Sequence, residues 1–218
     1  MAFKSHLTAF LKTRLEGSMP RLDPFPYDGR IPKKDDLRRK VEALLRHGSH
    51  AAIALSDVYT GTPDFTDAND AKQKMSQWVG PNPQFYPHAA QYEFEAWLLP
   101  FWSETQKLAG HNRNAPSGPP EQVNHNRPPS VHIREIFRIG TCRADYSKPR
   151  DAKRILQGKD LSVAANSCPE LKSFLNTILN LCGGPILYAR DGHRLHWRQR
   201  DNGAPKFVAA PDEPDKLI

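Results

Sequence analysis

An α/β fold, a parallel sheet flanked by helices, follows from three features of this sequence. The run Ala51-Ala-Ile-Ala-Leu55 is short and apolar and is closed by Ser56, Asp57 and a Tyr-Thr-Gly-Thr-Pro turn. That is the pattern of a strand buried on both faces, as in a parallel sheet. Segments with helical apolar spacing alternate with this strand and with a second strand candidate, so the order reads helix, strand, helix, strand, helix. Past residue 130 the apolar spacing is helical throughout, until a terminal hairpin signal.

In chain order, Phe3, Leu7, Phe10 and Leu11 predict an amphipathic helix over 2–16, stopped by Gly17. Phe25-Pro-Tyr27 fits a short edge strand, where proline is tolerated. Leu37, Val41, Leu44 and Leu45 line one face of a helix over 33–47, and the cationic remainder reads as a solvated face. Asp67 is placed to cap a helix over 68–79. Phe85–Gln91 reads as the second strand, running directly into a helix whose inward face is Phe94, Trp97, Leu98 and Phe101. Residues 110–130 hold five prolines and two His-Asn-Arg triplets, a loop long enough to be functional or mobile. Helices are expected around 130–138, 149–157 and 168–181. A hairpin turning at Asp191-Gly192 and a punctuated tail complete the chain.

Composition narrows the function classes. The net charge of +7 points first to nucleic acid as a polyanionic partner. No stretch approaches the roughly 18 apolar residues of a membrane span. Cys142, Cys168 and Cys182 are odd in number and lack Cys-x-x-Cys spacing, which argues against a disulfide framework or a structural zinc site and for a reducing, cytoplasmic setting.

In open parallel sheets, chemistry gathers just beyond the carboxyl ends of the strands. Asp57 ends the first strand, and Glu93 and Glu95 follow the second, so all three belong to one edge. Two carboxylates about 4 Å apart repel by roughly 4 kcal/mol at an effective dielectric of 20, and they need a cation or a proton between them. Mg²⁺ suits such an edge because it takes oxygen ligands and shares one or two carboxylates with a substrate phosphate. The competing reading is that Asp57 merely caps a turn and the glutamates sit in the first turn of a helix.

Three segments carry a family resemblance: Leu55-Ser-Asp-Val-Tyr-Thr-Gly61, Phe85-Tyr-Pro-His-Ala-Ala-Gln-Tyr-Glu-Phe-Glu-Ala-Trp-Leu-Leu99 and Lys148-Pro-Arg-Asp-Ala-Lys153. Over roughly 3–184 the chain resembles a bacterial family of small proteins with a toprim-like (topoisomerase–primase) fold. These are stand-alone relatives of the nuclease half of overcoming-lysogenization-defect enzymes. With the resemblance the chain divides into a toprim-like core over 1–109, the Pro-rich loop 110–130 and a helical part of the same domain over 131–184; the hairpin and tail over 185–218 lie beyond the matched part. It implies metal ligands at Asp57 and at Glu93 or Glu95, with Mg²⁺ or Mn²⁺ as cofactor, and an ATPase partner in defence against foreign DNA. Two departures accompany it. Toprim domains pair acids as Asp-x-Asp, whereas here Tyr59 follows Asp57-Val58, leaving Asp64 as a substitute ligand. The fold's opening strand, with its glutamate, is also missing from the sequence as written.

The expected function is therefore a Mg²⁺-dependent, phosphodiester-cleaving subunit. Asp57, Glu93 and Glu95 would be catalytic, and Lys148, Arg150, Arg127 and Arg113 would contact nucleic acid; homo-oligomerisation is compatible with this. The alternative is a non-catalytic basic scaffold that holds an ATPase or nucleic acid. A histidine-based nuclease using His111, His125 and His132 is disfavoured, because a Pro-rich loop supplies neither hairpin nor helix for the metal.

Overall fold

Helix α1 (Ala2–Lys12) buries Leu7, Phe10 and Leu11, the apolar stripe its spacing predicts. The structure is a computed structural model and describes residues 2–27, 31–59, 61–124, 127–142 and 145–188. The chain divides into Met1–Ile186 and Leu187–Ile218, and the architecture described here is that of the first unit. The hairpin expected around Asp191-Gly192 and the tail after it lie outside the described residues. The unit is mixed α/β, with a small parallel two-stranded sheet flanked by helices. Phe25 and Tyr27 are exposed and join no ladder, so the expected edge strand is absent there. Pro24 and Pro26 remove the N–H donors such a strand would need.

Helix α2 (Lys34–Arg46) leads to strand β1 (Ala52–Asp57), then helix α3 (Ala68–Val79) and strand β2 (Phe85–Ala90). Asp67 caps α3 as expected, its Oδ1 accepting from the Asp70 N–H at 2.8 Å. The strands pair in parallel from Ala52↔Phe85 to Asp57↔Ala90, so their carboxyl ends are level. Leu37, Val41, Ala52, Ala54, Met75, Val79, Phe85 and Ala89 form one core between α2, α3 and the sheet. Full burial of a side chain such as Met75 contributes about 2 kcal/mol. The other sheet face is covered only in part. Leu55 remains exposed, which corrects the expectation of a strand buried on both sides. A sheet of two strands is too narrow for helices to enclose β1 completely.

The polypeptide leaves β2 through a 3₁₀ segment (Phe94–Phe101) rather than the expected α-helix. Pro100 has no N–H to donate and its ring would crowd the carbonyl of residue 96 in an α-helix. Glu95, Ala96, Trp97, Leu98, Leu99 and Phe101 are all buried, so the segment is enclosed on nearly every side. Helix α4 (Trp102–Ala109) follows, then the Pro-rich stretch, α5 (Pro129–Ile139), α6 (Lys148–Ile155), α7 (Leu161–Ala165) and α8 (Pro169–Leu181). Gly140 lets the end of α5 meet the end of α4, since a Cβ there would collide with the Ala109 carbonyl. Phe3, Phe94, Trp97 and Phe174 form an aromatic cluster that ties α1 and α8 to the 3₁₀ segment.

The Pro-rich stretch is anchored rather than loose. Its single 3₁₀ turn (Pro120–Gln122) buries Glu121. That carboxylate accepts from Trp97 Nε1 at 2.8 Å and from the Glu170 and Leu171 N–H groups at 2.9 and 3.2 Å. Those two amides are the free donors of the first turn of α8, which a carboxylate satisfies well.

His88 on β2 faces α8, where its Nε2 is 3.0 Å from Thr177 Oγ1 and its ring meets Phe174 edge-on. Burial, with the nearby Lys72 charge, lowers its pKa to about 4. The folded pKa lies below the unfolded one, so the unfolded chain takes up the proton first as pH falls. The stability tied to neutral His88 is complete above the unfolded value near 6.5 and is lost towards pH 4. Urea unfolding at about pH 7 and about pH 5 should show wild type losing about 2 kcal/mol more than His88→Gln. Equal losses in the two proteins would contradict this assignment.

Candidate functional site

Asp57 is the last residue of β1, and two further backbone hydrogen bonds extend the pairing beyond it. The Val58 N–H donates to the Ala90 carbonyl at 3.1 Å and the Tyr59 N–H to the Tyr92 carbonyl at 2.8 Å. Tyr92 has φ +63°, an unfavourable conformation for a bulky side chain. It turns the chain off the strand direction and delivers Glu93, Phe94 and Glu95 to the same edge as Asp57.

The carboxylates there have distinct partners. Asp57 Oδ1 accepts the Phe94 N–H at 2.8 Å, capping the 3₁₀ segment, while Oδ2 meets Lys148 Nζ at 3.0 Å. The same ammonium lies 3.0 Å from Glu95 Oε2, and Tyr146 donates its hydroxyl to Glu95 Oε1 at 3.2 Å. Glu93 Oε2 accepts the Ser130 N–H at 2.9 Å, at the start of α5. Asp57 and Glu95 thus share one cation, and their facing oxygens lie within about 6 Å. At that distance they would repel by roughly 3 kcal/mol at an effective dielectric of 20.

Electrostatics follow from depth. Glu95 is almost wholly buried, and desolvation pushes its carboxyl pKa up; Lys148 opposes the rise, while Asp57 and Glu93 add to it. Burial also works against the Lys148 charge, but Asp57 and Glu95 more than offset it and raise the pKa above that of an ordinary lysine. Burial and the neighbouring Glu95 charge raise the Tyr146 phenol as well, so it stays a donor. Lys148 is held by its helix: Asp151, fully buried, accepts the Ser147 N–H at 2.8 Å and pairs with Arg150, fixing the start of α6.

The sequence-predicted residues separate into two groups. Asp57, Glu95 and Lys148 come together, with Glu93 beside them as the cap of α5. Asp64 is engaged elsewhere, paired with Lys33 Nζ at 2.6 Å and with the Thr62 hydroxyl. Arg150 is committed to Asp151 and to the Asp145 carbonyl at 2.7 Å. Arg113 and Arg127 converge on Glu135, at 2.9 and 3.5 Å, leaving an excess positive charge at that point. His111 Nδ1 accepts the Arg113 N–H, whereas His125 lies outside the described residues. Tyr146 was not anticipated from sequence. The bridging role of Lys148 had one legible signal: it stands just before Pro149 at a helix start, where the dipole disfavours a cation.

Among the described residues no group of three or more His, Cys, Asp or Glu side chains is arranged to hold a metal ion. The Asp57–Glu95 pair nevertheless suits one cation shared by two carboxylates. That is the donor set magnesium accepts when water and a phosphate complete its shell. Here the Lys148 ammonium already stands between the two carboxylates.

All three cysteines are free. Among the described residues no helix is long and apolar enough to cross a membrane. No curated protein and no solved structure matches the chain. Residues 2–179 match a family model described as "Domain of unknown function (DUF4276)", and the chain belongs to that family.

Proposed function

We propose that this protein acts on phosphodiesters at the Asp57–Lys148–Glu95 edge, as a toprim-like, nuclease-type subunit that works with an ATPase partner in defence against foreign DNA. The observation that carries this reading is the convergence on one cation of a carboxylate from the end of β1 and one from the 3₁₀ segment after β2, each 3.0 Å from Lys148 Nζ. Asp57 and Glu95 would hold a magnesium or manganese ion, which supplies Lewis-acid polarisation of the scissile phosphate. Lys148, freed from the pair, is placed to form a charge-assisted hydrogen bond to a phosphate oxygen. Tyr146 keeps one Glu95 oxygen occupied and so directs the other towards the edge. Glu93 anchors α5 against the site through Ser130. Labelled oligonucleotides incubated with the full chain should be cleaved when magnesium is present and left intact when EDTA replaces it. Absence of cleavage with either DNA or RNA, both alone and with an ATPase partner, would count against the enzyme.

The lysine bridge itself favours a second reading. If Lys148 remains between the carboxylates permanently, the edge is a neutralised structural feature. The chain would then be a non-catalytic basic scaffold for nucleic acid or an ATPase. This reading requires that the full chain bind oligonucleotides without cutting them under any metal condition.

A further inference from the structure

Immediately outside the carboxylate edge stand two tyrosines. Tyr59 lies two residues past Asp57, and Tyr92 precedes Glu93. Their ring centroids are 5.3 Å apart and their planes are inclined by 46°. This spacing leaves no room for a base between the rings, so any stacking must use the outer face of Tyr59, which is 41% exposed. The ring is held in place. Its hydroxyl accepts from Asn124 Nδ2 at 2.8 Å, its backbone N–H is bound to the Tyr92 carbonyl, and Tyr92 supports it from one side. Holding Tyr92 there requires the φ of +63° that a bulky residue rarely adopts. Strain of this kind persists where the surroundings impose it, and it clusters at ligand clamps.

We propose that Tyr59, backed by Tyr92, is a stacking platform for an unpaired nucleobase, which makes a single strand the substrate class of the neighbouring phosphodiester site. The inference rests on the phosphodiester reading and deepens it. Asp57, which meets Lys148 at 3.0 Å, lies two residues before Tyr59, so a nucleotide whose base stacks on Tyr59 has its backbone beside the carboxylate edge. Arg127, whose N–H donates to the carbonyl of the asparagine that holds Tyr59, shares Glu135 with Arg113, so two cations meet one carboxylate there. An aromatic face next to cations is the combination that single-strand binders use, and it tolerates any base because every base has a π-face. Inside a duplex no base offers a free face to Tyr59, because each is stacked on both sides; only the two terminal pairs do.

Fluorescence anisotropy with labelled oligo-dT, oligo-rU and a blunt DNA duplex, in EDTA so that no strand is cut, tests the proposal on the full chain. Single strands should bind at least about tenfold more tightly than the duplex. Tyr59→Ala should remove about tenfold of single-strand affinity, with Tyr59→Trp restoring it and duplex binding unchanged. Abasic single strands should bind wild type as weakly as normal strands bind Tyr59→Ala. The dT and rU arms decide between DNA and RNA as the source of the base. Equal binding of duplex and single strand, or an unchanged affinity in Tyr59→Ala, overturns the platform, as does failure of every oligonucleotide to bind. Cleavage decides the other question independently. A chain that prefers single strands through Tyr59 but never cuts them keeps the platform and loses the enzyme. A chain that cuts both forms equally keeps the enzyme and loses the platform.

Discussion

Asp57→Asn should abolish metal-dependent cleavage, by about 100-fold or more, while leaving the fold intact. The asparagine carbonyl can still accept the Phe94 N–H, so the cap of the 3₁₀ segment survives. What disappears is the negative charge that Lys148 meets at 3.0 Å, and with it one of the two carboxylates able to share a cation. Lys148 keeps its other partner, Glu95, and its side chain is 46% exposed, so the variant leaves the ammonium paired and in reach of water. Far-UV circular dichroism and the unfolding midpoint should be close to wild type, and the loss should appear in kcat rather than KM. Asp64→Asn is the matched control. Its carboxylate serves Lys33 and Thr62, so cleavage should change by no more than a few fold.

Glu121→Ala should be the most destabilising single change among the polar residues, costing about 3 kcal/mol. The carboxylate accepts three hydrogen bonds, one from Trp97 Nε1 and two from the first turn of α8. Truncation leaves those donors inside the protein with no acceptor, and unlike a surface ion pair they have no water to turn to. For a domain of this size the loss corresponds to a fall of roughly 10 °C in the unfolding midpoint. Glu121→Gln retains one acceptor oxygen and should cost about 1 kcal/mol. Thermal melts of both variants check the ordering, and an alanine variant as stable as wild type would show that the Pro-rich stretch does not anchor α8.

The acidic edge was legible in sequence because parallel pairing leaves little freedom. Once Ala52–Asp57 and Phe85–Ala90 are adjacent and level, their following residues must share an edge. The cap of α3 and the apolar stripes of α2 and α8 were legible for the same local reasons: Asp67 before α3, Leu37 and Val41 along α2, and Leu171, Phe174, Leu175, Ile178 and Leu179 along α8. Features fixed by distant contacts were not. Helix α7, at five residues, is too short to show a period. Lys148 meets Asp57 from 91 positions away, and its place before Pro149 at a helix start does not tell which carboxylates it will reach. Glu121 lies among prolines that disguise a buried polar anchor as a loop. Leu55 looked like core because an apolar run does not report how many strands will cover it.

The decisive quantity is whether Asp57 and Glu95 form a single cation site that Lys148 fills. Titration of Mn²⁺ into the full chain, followed by the electron paramagnetic resonance signal of the free ion, measures this without any substrate or partner. Wild type should take up one ion weakly, and Asp57→Asn should take up none at this site. Lys148→Met, which removes the competing ammonium, should bind about tenfold more tightly than wild type. If neither wild type nor Lys148→Met binds an ion in a manner that depends on Asp57, the shared-cation account of the edge is wrong.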